Sequence, residues 1–488
     1  MATRTTPEPR ATEPGSRRWL ALAVLCAATF IIILDGSIVF VAVPSMTMSL
    51  GLDAESLQWV LSSYLLSFGG LLLLAGRAAD LLGRRRLFMI GAGLLAVSSL
   101  LCGLAWSAES LIAARVLQGL AGAIMTPTAL SILMNTFAEG PERNKALGAW
   151  SAAGGVGGTI GALIGGPLVD GLGWSWIFYV NVPVAVAIVV LSPLTLAESY
   201  DRGRARSFDV AGALTSTAAL VLIVYAVVNA PTAHWLSART IGLFVAAAAL
   251  IGLFVGIERR SVAPLAPLHI FRSKALVGGN LVLFAVGMAV NGSMGFITTQ
   301  YAQIVLGYSA VEFGLMFAVM TMLTIVGSMA AGGPLVNRYG PRPVAVGALV
   351  LIGLSSIAMT QVSADGSYLG DMFLGMVLFG PGLGAGFVAG SIASLAGVKP
   401  GDAGLASGLN SASFHIGGAL GIAILSTVAV SQAVGASPPL AMTAGFSAAY
   451  GVTIVFAVLG IVAALFLLGK QRTPRASGHL EAVKSAVH

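Results

Sequence analysis

The chain has 488 residues, of which 57% are hydrophobic and only 9% are charged, with a net charge of +7. A soluble globular domain carries about 25% charged residues, so this composition excludes an ordinary soluble protein. Apolar runs of about twenty residues recur along the whole length, and alternating ten-residue segments are absent, so we predict an all-α polytopic membrane protein. Cys26 and Cys102 lie inside apolar runs and indicate neither a disulfide framework nor a metal site.

The first 18 residues form a polar tail, and the apolar run after them lacks a clear cleavage site, so we expect it to be a retained first span. Each further run is long enough to cross a bilayer as a helix. The fourteen predicted spans are 19–43, 57–75, 87–106, 110–133, 146–169, 176–196, 209–229, 239–257, 275–299, 311–331, 344–363, 370–394, 404–430 and 444–468.

The basic residues test this count. If the N-terminus is cytoplasmic, 24 of the 26 Lys and Arg residues fall in the tails and cytoplasmic loops, Arg115 lies within a span, and Arg239 is in an outer loop. This asymmetry is typical of the positive-inside rule. We therefore predict a multi-pass protein of the cell membrane with both termini cytoplasmic, and we attribute the positive charge to topology and not to nucleic-acid binding.

Two stretches of the sequence recur and indicate two related halves. Gly83 has a counterpart 257 residues on at Gly340, and segment 146–166 aligns with 406–426 at an offset of 260. Two halves around a midplane site are the arrangement of many transporters. The predicted organisation is a cytoplasmic tail at 1–18, a six-helix bundle at 19–196, a linker at 197–274 with two extra spans at 209–229 and 239–257, a second six-helix bundle at 275–469 and a cytoplasmic tail at 470–488.

Three ionisable residues lie deep within predicted spans: Asp35, Arg115 and His415. Each costs about 2.5–3.5 kcal/mol on insertion scales, so each is a functional hypothesis by default. At about 1.5 Å per residue, Asp35 and Arg115 lie at similar depth, and we predict a pair that takes up and releases protons. A static ion pair that locks two helices is the alternative. His415 suits proton exchange, but a lone buried histidine more often makes a hydrogen bond between helices.

Segment 76–86 is predicted to be a polar cytoplasmic turn between spans 2 and 3. Asp80 can accept hydrogen bonds from a helix N-terminus or from nearby arginines, which would make the segment a latch between moving helices. The alternative is a solvated turn that only sets topology. In the second copy Asn337 replaces the acid, so the two are not expected to be equivalent. The predicted cytoplasmic gate residues are Gly76, Asp80, Gly83, Arg84, Arg85, Gly333, Asn337, Arg338 and Gly340.

Span 5 carries glycines four residues apart, a stripe that lets another helix approach closely. Several aromatic and amide side chains are candidates for the wall of a substrate cavity, and ordinary packing or an interfacial position is the alternative for each. These cavity candidates are Trp59, Tyr64, Gln118, Trp150, Phe296 and Gln300.

Together these motifs resemble the major facilitator superfamily, and more narrowly its fourteen-span drug:proton antiporters. Segment 76–86 matches the loop signature G-x-x-x-D-x-x-G-R-[KR]-x, and 34–44 resembles the span 1 motif in which an acid precedes an apolar run ending in Ala-x-Pro. Segment 115–119 resembles the span 4 motif, whose arginine is linked with proton transfer. The glycines of span 5 resemble the antiporter motif of the family, with Ala162 where a proline is usual. They are Gly148, Gly157, Gly161, Gly165 and Gly166.

The resemblance implies alternating access between two bundles and export of hydrophobic, cationic or amphipathic drugs in exchange for protons. Asp35 would take the proton, aided by Arg115. The expected partners are a small molecule, protons and the lipid bilayer, and neither a cofactor nor an enzymatic reaction is expected of this chain, which we expect to be a monomer. No G-x-x-x-x-G-K-[ST] loop occurs, so energy is expected from a gradient and not from ATP.

Two other functions stay open at this stage. The first is dedicated export of a metabolite made by the host, such as an antibiotic or a siderophore. The second is a membrane sensor or scaffold that uses the same fold without transport, although the buried charges would have no role in it.

Overall fold

The computed structural model describes residues 15–137, 141–199, 209–261, 264, 269–396, 398, 403–432 and 438–469. Within these ranges the regular structure is entirely helical, and fourteen helices are long and apolar enough to cross a membrane. Each predicted span overlaps one of them, which confirms the predicted count. They are α1 (Gly15–Leu50), α2 (Ala54–Leu82), α3 (Arg84–Gly103), α4 (Ala108–Thr136), α5 (Pro141–Leu172), α6 (Trp176–Thr195), α7 (Val210–Ala233), α8 (Ala238–Arg260), α9 (Lys274–Val305), α10 (Ala310–Tyr339), α11 (Pro341–Met359), α12 (Tyr368–Leu395), α13 (Ala403–Gln432) and α14 (Pro438–Leu467).

The helices pack in the same pattern in the two halves. In the first half α1 packs on α5, α2 on α4, and α3 on both α4 and α6. In the second half α9 packs on α13, α10 on α12, and α11 on both α12 and α14. The halves meet through α2 with α13 and through α5 with α10, which are equivalent pairs under the same repeat. The fold is therefore two six-helix bundles joined along two matching seams.

The two extra helices lie at one of these seams. α7 packs on α8 and also contacts α2 of the first bundle and α13 of the second. α8 is far more exposed, since only Thr240, Ala247 and Glu258 are buried along it. The extra pair is thus attached through α7.

The prediction that segment 76–86 is a loop is wrong. α2 continues through Gly76 and ends at Leu82, and α3 begins at Arg84, so only Gly83 separates them. In the second half α10 likewise continues to Tyr339, and Gly340 alone precedes α11. Both separating glycines have positive φ angles, 107° and 83°, a backbone conformation that other residues rarely adopt. Helical backbone hydrogen bonding continues up to these two positions, and a single glycine then makes each turn.

The second half contains wider helical turns. π-helical segments occur in α9 (Ala289–Ile297 and Tyr301–Val305), at the inner end of α10 (Ala331–Leu335) and at the start of α12 (Tyr368–Met372). Such segments shift side chains around the helix axis and occur frequently at functional sites.

Candidate functional site

Asp35 and Arg115 are in direct contact. Their side chains are 1% and 2% exposed, and Arg115 Nη1 donates a hydrogen bond to Asp35 Oδ2 at 3.1 Å. Asp35 lies in the middle of α1 and Arg115 near the start of α4, so the opposite directions of the two helices bring them to one depth. Opposite charge offsets part of the desolvation cost that either group would carry alone. The structure therefore brings together the two residues that the sequence placed at similar depth.

Two amides hold the other carboxylate oxygen of Asp35. Gln118 Nε2 donates to Oδ1 at 2.8 Å, and Asn181 Nδ2 donates to the same atom at 2.6 Å. Both amides also donate to Ser99 Oγ, at 3.0 Å and 3.4 Å. We refer to Asp35, Ser99, Arg115, Gln118 and Asn181 as the Asp35 network. It joins α1, α3, α4 and α6 inside the first bundle.

Arg115 has partners beyond the carboxylate. Its Nε donates to the carbonyl oxygen of Val60 at 3.3 Å, and its Nη1 also donates to Gln118 Oε1. The guanidinium lies over the ring of Tyr64, 4.2 Å from the centroid, and 5.8 Å from that of Phe178. A cation over an aromatic face is stabilised by the ring quadrupole, most strongly where water is excluded. α2 therefore contributes a carbonyl and an aromatic face to the site.

This arrangement can hold a carboxylate in either protonation state. Three donors point at the ionised form, which supports the negative charge. Asn181 Oδ1 is buried and has no hydrogen-bond partner among the described atoms. A protonated Asp35 would find an acceptor in that oxygen if the Asn181 amide turned over. The network thus has donors for the charged state and a free acceptor for the neutral one.

Sequence reasoning missed Ser99 and Asn181. Ser99 is one of two adjacent serines in an apolar helix, and short hydroxyl side chains usually bond to their own backbone there. Asn181 carried a usable signal, since it is an amide inside the apolar run 176–196. An amide costs less to bury than a charge, so it did not stand out beside Asp35.

His415 lies outside the Asp35 network, at the seam between the bundles. It is in α13, and its ring stacks on that of Phe68 in α2 with centroids 4.0 Å apart. Its Nδ1 is 2.7 Å from the carbonyl oxygen of Ser411 and must donate, because a carbonyl only accepts. The neutral ring therefore has Nε2 as its free acceptor. A role of His415 in proton exchange stays a prediction.

The cavity candidates fall into separate places. Tyr64 and Gln118 contact Arg115 within the first bundle, and the ring of Trp59 lies 6.4 Å from that of Tyr225 in α7. Phe296 is buried in the first π-helical segment of α9. Trp150 Nε1 and Gln300 Oε1 are buried atoms without a hydrogen-bond partner among the described residues. A role of these six residues in a substrate cavity stays a prediction.

The glycines of α5 bring two helices into close contact. A Cβ at Gly161 would lie 2.8 Å from the carbonyl oxygen of Leu34, and one at Gly157 would overlap that of Phe30, so α5 packs directly on the α1 backbone. A Cβ at Gly165 would lie 3.0 Å from Ile38 in the same helix.

Two further glycines of the motif behave differently. Gly166 packs on Val311 of α10, across the seam between the bundles, whereas nothing lies within 4 Å of a Cβ at Gly148. The motif therefore serves both a contact within the first bundle and a contact between the bundles.

A carboxylate caps the N-terminus of α3. Glu198, just after α6, accepts from the backbone N–H of Arg85 at 3.0 Å and of Arg86 at 3.2 Å, and Arg85 Nη1 donates to the carbonyl of Leu196 at 3.2 Å. The backbone N–H of Arg84 donates to the carbonyl of Ser199 at 3.1 Å. The side chain of Asp80 lies outside the described part of the structure, so its role as a latch stays a prediction.

The second copy of this segment is more exposed. Asn337 and Arg338 are both exposed, and the Arg338 guanidinium lies 5.2 Å from the ring centroid of its neighbour Tyr339. Gly76 and Gly333 lie within helices, as described above. The two copies therefore share a helix break but differ in their polar contacts.

The outer end is the end at which α1 finishes and α2 begins, and four hydrogen bonds join the bundles toward it. Gln303 Nε2 donates to the carbonyl of Val41 at 3.0 Å, and the backbone N–H of Val311 donates to Asp170 at 3.2 Å. Along the other seam Ser426 Oγ donates to Gln58 Oε1 at 2.7 Å, and Ser62 Oγ donates to the carbonyl of Ala419 at 3.4 Å. The bundles are closed against each other at this end.

Comparison with known proteins decides the family. The profile described as Major Facilitator Superfamily matches residues 25–421 and 279–487. The chain belongs to the Major Facilitator Superfamily. Its fourteen spans and the relatives described next agree with the narrower resemblance to drug:proton antiporters.

Several curated relatives of this superfamily member match over most of its length. The puromycin resistance protein pur8 of Streptomyces alboniger is 36% identical over 452 residues, which is 91% of this chain and 89% of that protein. The cephamycin export protein CmcT of Amycolatopsis lactamdurans is 35% identical over 478 residues, 97% of each chain. The tetracenomycin C resistance and export protein of Streptomyces glaucescens is 34% identical over 439 residues, 88% of this chain and 81% of that protein.

Solved structures of transporters share the fold. The POT family transporter PepTSo superposes with a TM-score of 0.65 at 15% identity, covering 96% of this chain and 98% of that one. A bacterial homologue of the human lysosomal transporter Spinster, in an inward-facing and unoccupied conformation, superposes with a TM-score of 0.64 at 18% identity, covering 95% and 100%. At this identity the likeness concerns the fold alone.

Proposed function

We propose that this superfamily member is a proton-coupled exporter of small hydrophobic molecules, cationic or amphipathic in character, in the cell membrane with both termini cytoplasmic. The observation that carries the proposal is the Asp35 network. A carboxylate and a guanidinium are buried together in a transporter fold, where they cost stability that apolar packing would not. Resistance and export functions in the names of three relatives support the export direction.

The proposed cycle uses the two protonation states of Asp35. With the bundles closed at the outer end, substrate enters the space between them from the cytoplasm, and its binding favours release of the Asp35 proton inward, which leaves Asp35 ionised and paired to Arg115. After the bundles reopen to the outside, substrate leaves and Asp35 accepts a proton. The neutral carboxyl donates to Asn181 Oδ1 while the bundles return, and the proton leaves inward when the next substrate binds. His415 would serve as a second exchange site at the seam.

A second candidate is dedicated export of one metabolite made by the host. Two of the matched relatives are named for export of single antibiotics, cephamycin and tetracenomycin C. A dedicated exporter would protect against one compound class, whereas a multidrug exporter would protect against several unrelated ones.

The test is a susceptibility panel in a drug-sensitive host with and without expression, followed by uptake of each protected compound into everted membrane vesicles. We expect uptake that requires a proton gradient and that stops on adding a protonophore. Asp35→Asn should reach the membrane in normal amount and give no protection. Protection that persists with Asp35→Asn, or uptake that ignores the protonophore, would contradict proton coupling through this residue.

A further inference from the structure

We propose that Tyr64 and Phe68 of α2 connect the Asp35 network mechanically to the seam between the bundles, so that they are positioning residues for proton coupling. Tyr64 would hold Arg115 while Asp35 is neutral, and Phe68 would pass the resulting shift to His415 of α13. The proposal rests on the proposed function. It identifies the residues that link proton binding in the first bundle to movement of the second bundle.

The first link is the contact of Tyr64 with Arg115. The guanidinium lies 4.2 Å from the ring centroid of a tyrosine that is only 5% exposed. When Asp35 accepts a proton, Arg115 loses its only described anionic partner. The neutral partners that remain are the carbonyl of Val60, Gln118 Oε1, the Tyr64 face and the more distant Phe178 face. Val60 and Tyr64, which carries the nearer of the two rings, belong to α2, so the cation stays attached to α2 when it is released from α1.

The second link is a row of rings along α2. Tyr64 and Phe68 are four residues apart on one face of the helix, with ring centroids 5.8 Å apart in an edge-to-face arrangement. The Phe68 ring in turn stacks on His415 at 4.0 Å. An unbroken series of contacts therefore runs from Asp35 in the first bundle to α13 in the second.

Small residues on both sides fix this row in place. A Cβ at Gly122 of α4 would lie 2.9 Å from the Phe68 ring, and one at Gly119 would overlap the α2 backbone at Tyr64. On the opposite face a Cβ at Gly69 would lie 3.2 Å from both the carbonyl of Ala412 and His415 Cβ. α2 is thus closely packed against both α4 and α13. Because such contacts are nearly incompressible, a shift of α2 relative to α4 is passed on to α13.

The ionisable groups that face this row are few. Arg115 and Asp35 face Tyr64, Cys102 of α3 lies beside Gln118 at 3.7 Å, and His415 faces Phe68. Among the described residues, these are the groups whose change of charge on protonation would act on the Tyr64 and Phe68 rings. Substitution of the rings should therefore alter the response to pH without removing the site that binds the proton.

The test follows outer closure directly and uses the proton as the only ligand. Cysteines that carry spin labels replace Met48, at the outer end of α1, and Leu369, at the start of α12. These positions are 80% and 74% exposed and lie in different bundles. Half-buried Cys26 is replaced by alanine, while fully buried Cys102 stays. Electron–electron distance distributions of the full chain in nanodiscs are then recorded from pH 5 to pH 9.

In the wild-type background we expect the ratio of the long-distance to the short-distance population to change by about tenfold across this range. This is the change expected when the pKa of the coupled proton site differs by one unit between the two conformations. Asp35→Asn should remove the change. Tyr64→Leu and Phe68→Leu should each reduce it to less than about twofold, while Tyr64→Phe, which keeps the aromatic face, should retain it. Phe317→Leu is the matched control, since Phe317 is a buried ring of α10, 5.5 Å from Phe313 and outside the row.

A wild-type response in both leucine variants would overturn the proposal, and so would a loss in Tyr64→Phe equal to that in Tyr64→Leu. A wild-type protein whose distances ignore pH would also overturn it. None of these results bears on whether the protein exports drugs with protons, which the vesicle uptake decides separately. If Tyr64→Leu does not fold, Phe68→Leu and Tyr64→Phe still decide the outcome.

Discussion

At the scale of the single residue, Asn181 is the member of the Asp35 network in which one amide atom bonds to Asp35 and the other is left over. Its Nδ2 donates to the carboxylate at 2.6 Å, and its Oδ1 is buried without a partner among the described atoms. A buried carboxylate that loses one hydrogen bond keeps its charge and its desolvation cost. The residue therefore matters to folding as well as to the proposed coupling.

We expect Asn181→Leu to lower the free energy of unfolding by about 1–3 kcal/mol, because Asp35 Oδ1 loses one of its two amide donors. Asn135→Leu is the control, since Asn135 is exposed and, among the described residues, donates within its own helix to the carbonyl of Ser131. Thermal unfolding of both variants in the same detergent measures the difference. Equal melting temperatures for the two variants would show that Asn181 does not support the network.

Sequence reasoning reached this site only in part, and the reason is physical. Asp35 and Arg115 stand out because charges are rare inside apolar runs and because opposite helix directions place them at one depth. Ser99 and Asn181 are ordinary polar residues for a membrane helix, and nothing in their spacing shows which face of α3 or α6 meets Asp35. Tyr64 was expected in a cavity wall, and only the tertiary packing shows it over Arg115.

At the scale of the element, the contact between α1 and α5 positions Asp35. Gly157, Gly161 and Gly165 place the α5 backbone against α1 over two turns. Small-residue contacts of this kind are a main source of helix association in membranes, where apolar burial alone discriminates little.

Gly161→Ala should destabilise the protein by about 1–3 kcal/mol, since its methyl group would lie 2.8 Å from the carbonyl oxygen of Leu34 and force the helices apart. Gly148→Ala, in the same helix but with open space around it, should be neutral or stabilise by up to about 1 kcal/mol. Melting temperatures in detergent compare them. A harmless Gly161→Ala would contradict the close contact.

The turn from α2 to α3 is the second element that carries a prediction. Glu198 accepts from two N–H groups in the first turn of α3, where a negative charge also meets the positive end of the helix dipole. Glu198→Ala should therefore lower stability by about 1 kcal/mol and speed hydrogen exchange at Arg85 and Arg86. Glu142→Gln is the control. It breaks an exposed ion pair with Arg18 at 3.3 Å, and hydrogen exchange in α3 should not change. Unchanged exchange in Glu198→Ala would show that the cap does not hold.

The elements themselves were largely predictable, and their ends were not. Apolar runs and the charge asymmetry gave the fourteen spans, because length and hydropathy decide what crosses a bilayer. Polar residues at 76–82 looked like a loop, yet helical hydrogen bonding continues through them until Gly83 with its φ of 107°. Glu198 was not foreseen, because its partners are backbone groups more than a hundred residues earlier in the chain.

At the scale of the whole molecule, closure at the outer end defines the state of this structure. A carboxylate of α5, Asp170, accepts from the backbone N–H of Val311 in the first turn of α10, across the bundles. The N-terminus of α10 thus holds an anion of the opposite bundle, a contact that separation of the bundles at this end must break. The repeat predicted two halves, but a sequence does not record which end of them is closed.

Asp170→Asn should weaken this closure. In a protein carrying Phe40→Cys, a position 8% exposed in the outer half of α1 whose ring packs on Gly295 of α9 in the other bundle, we expect a membrane-impermeant thiol reagent to react about two- to tenfold faster after the substitution, the effect of losing one charge-assisted hydrogen bond. Glu312→Gln is the control, since Glu312 bonds only within its own capping box with Ser309. No change in rate with Asp170→Asn would contradict a closing role.

The central claim is that Asp35 carries the coupled proton, and proton release from the purified protein tests it most directly. A compound selected by the susceptibility panel is added to wild-type protein in weakly buffered detergent solution containing a pH-sensitive dye. We predict release of about one proton per wild-type molecule, the same release from Glu142→Gln, and none from Asp35→Asn. Wild-type release from Asp35→Asn would contradict the account.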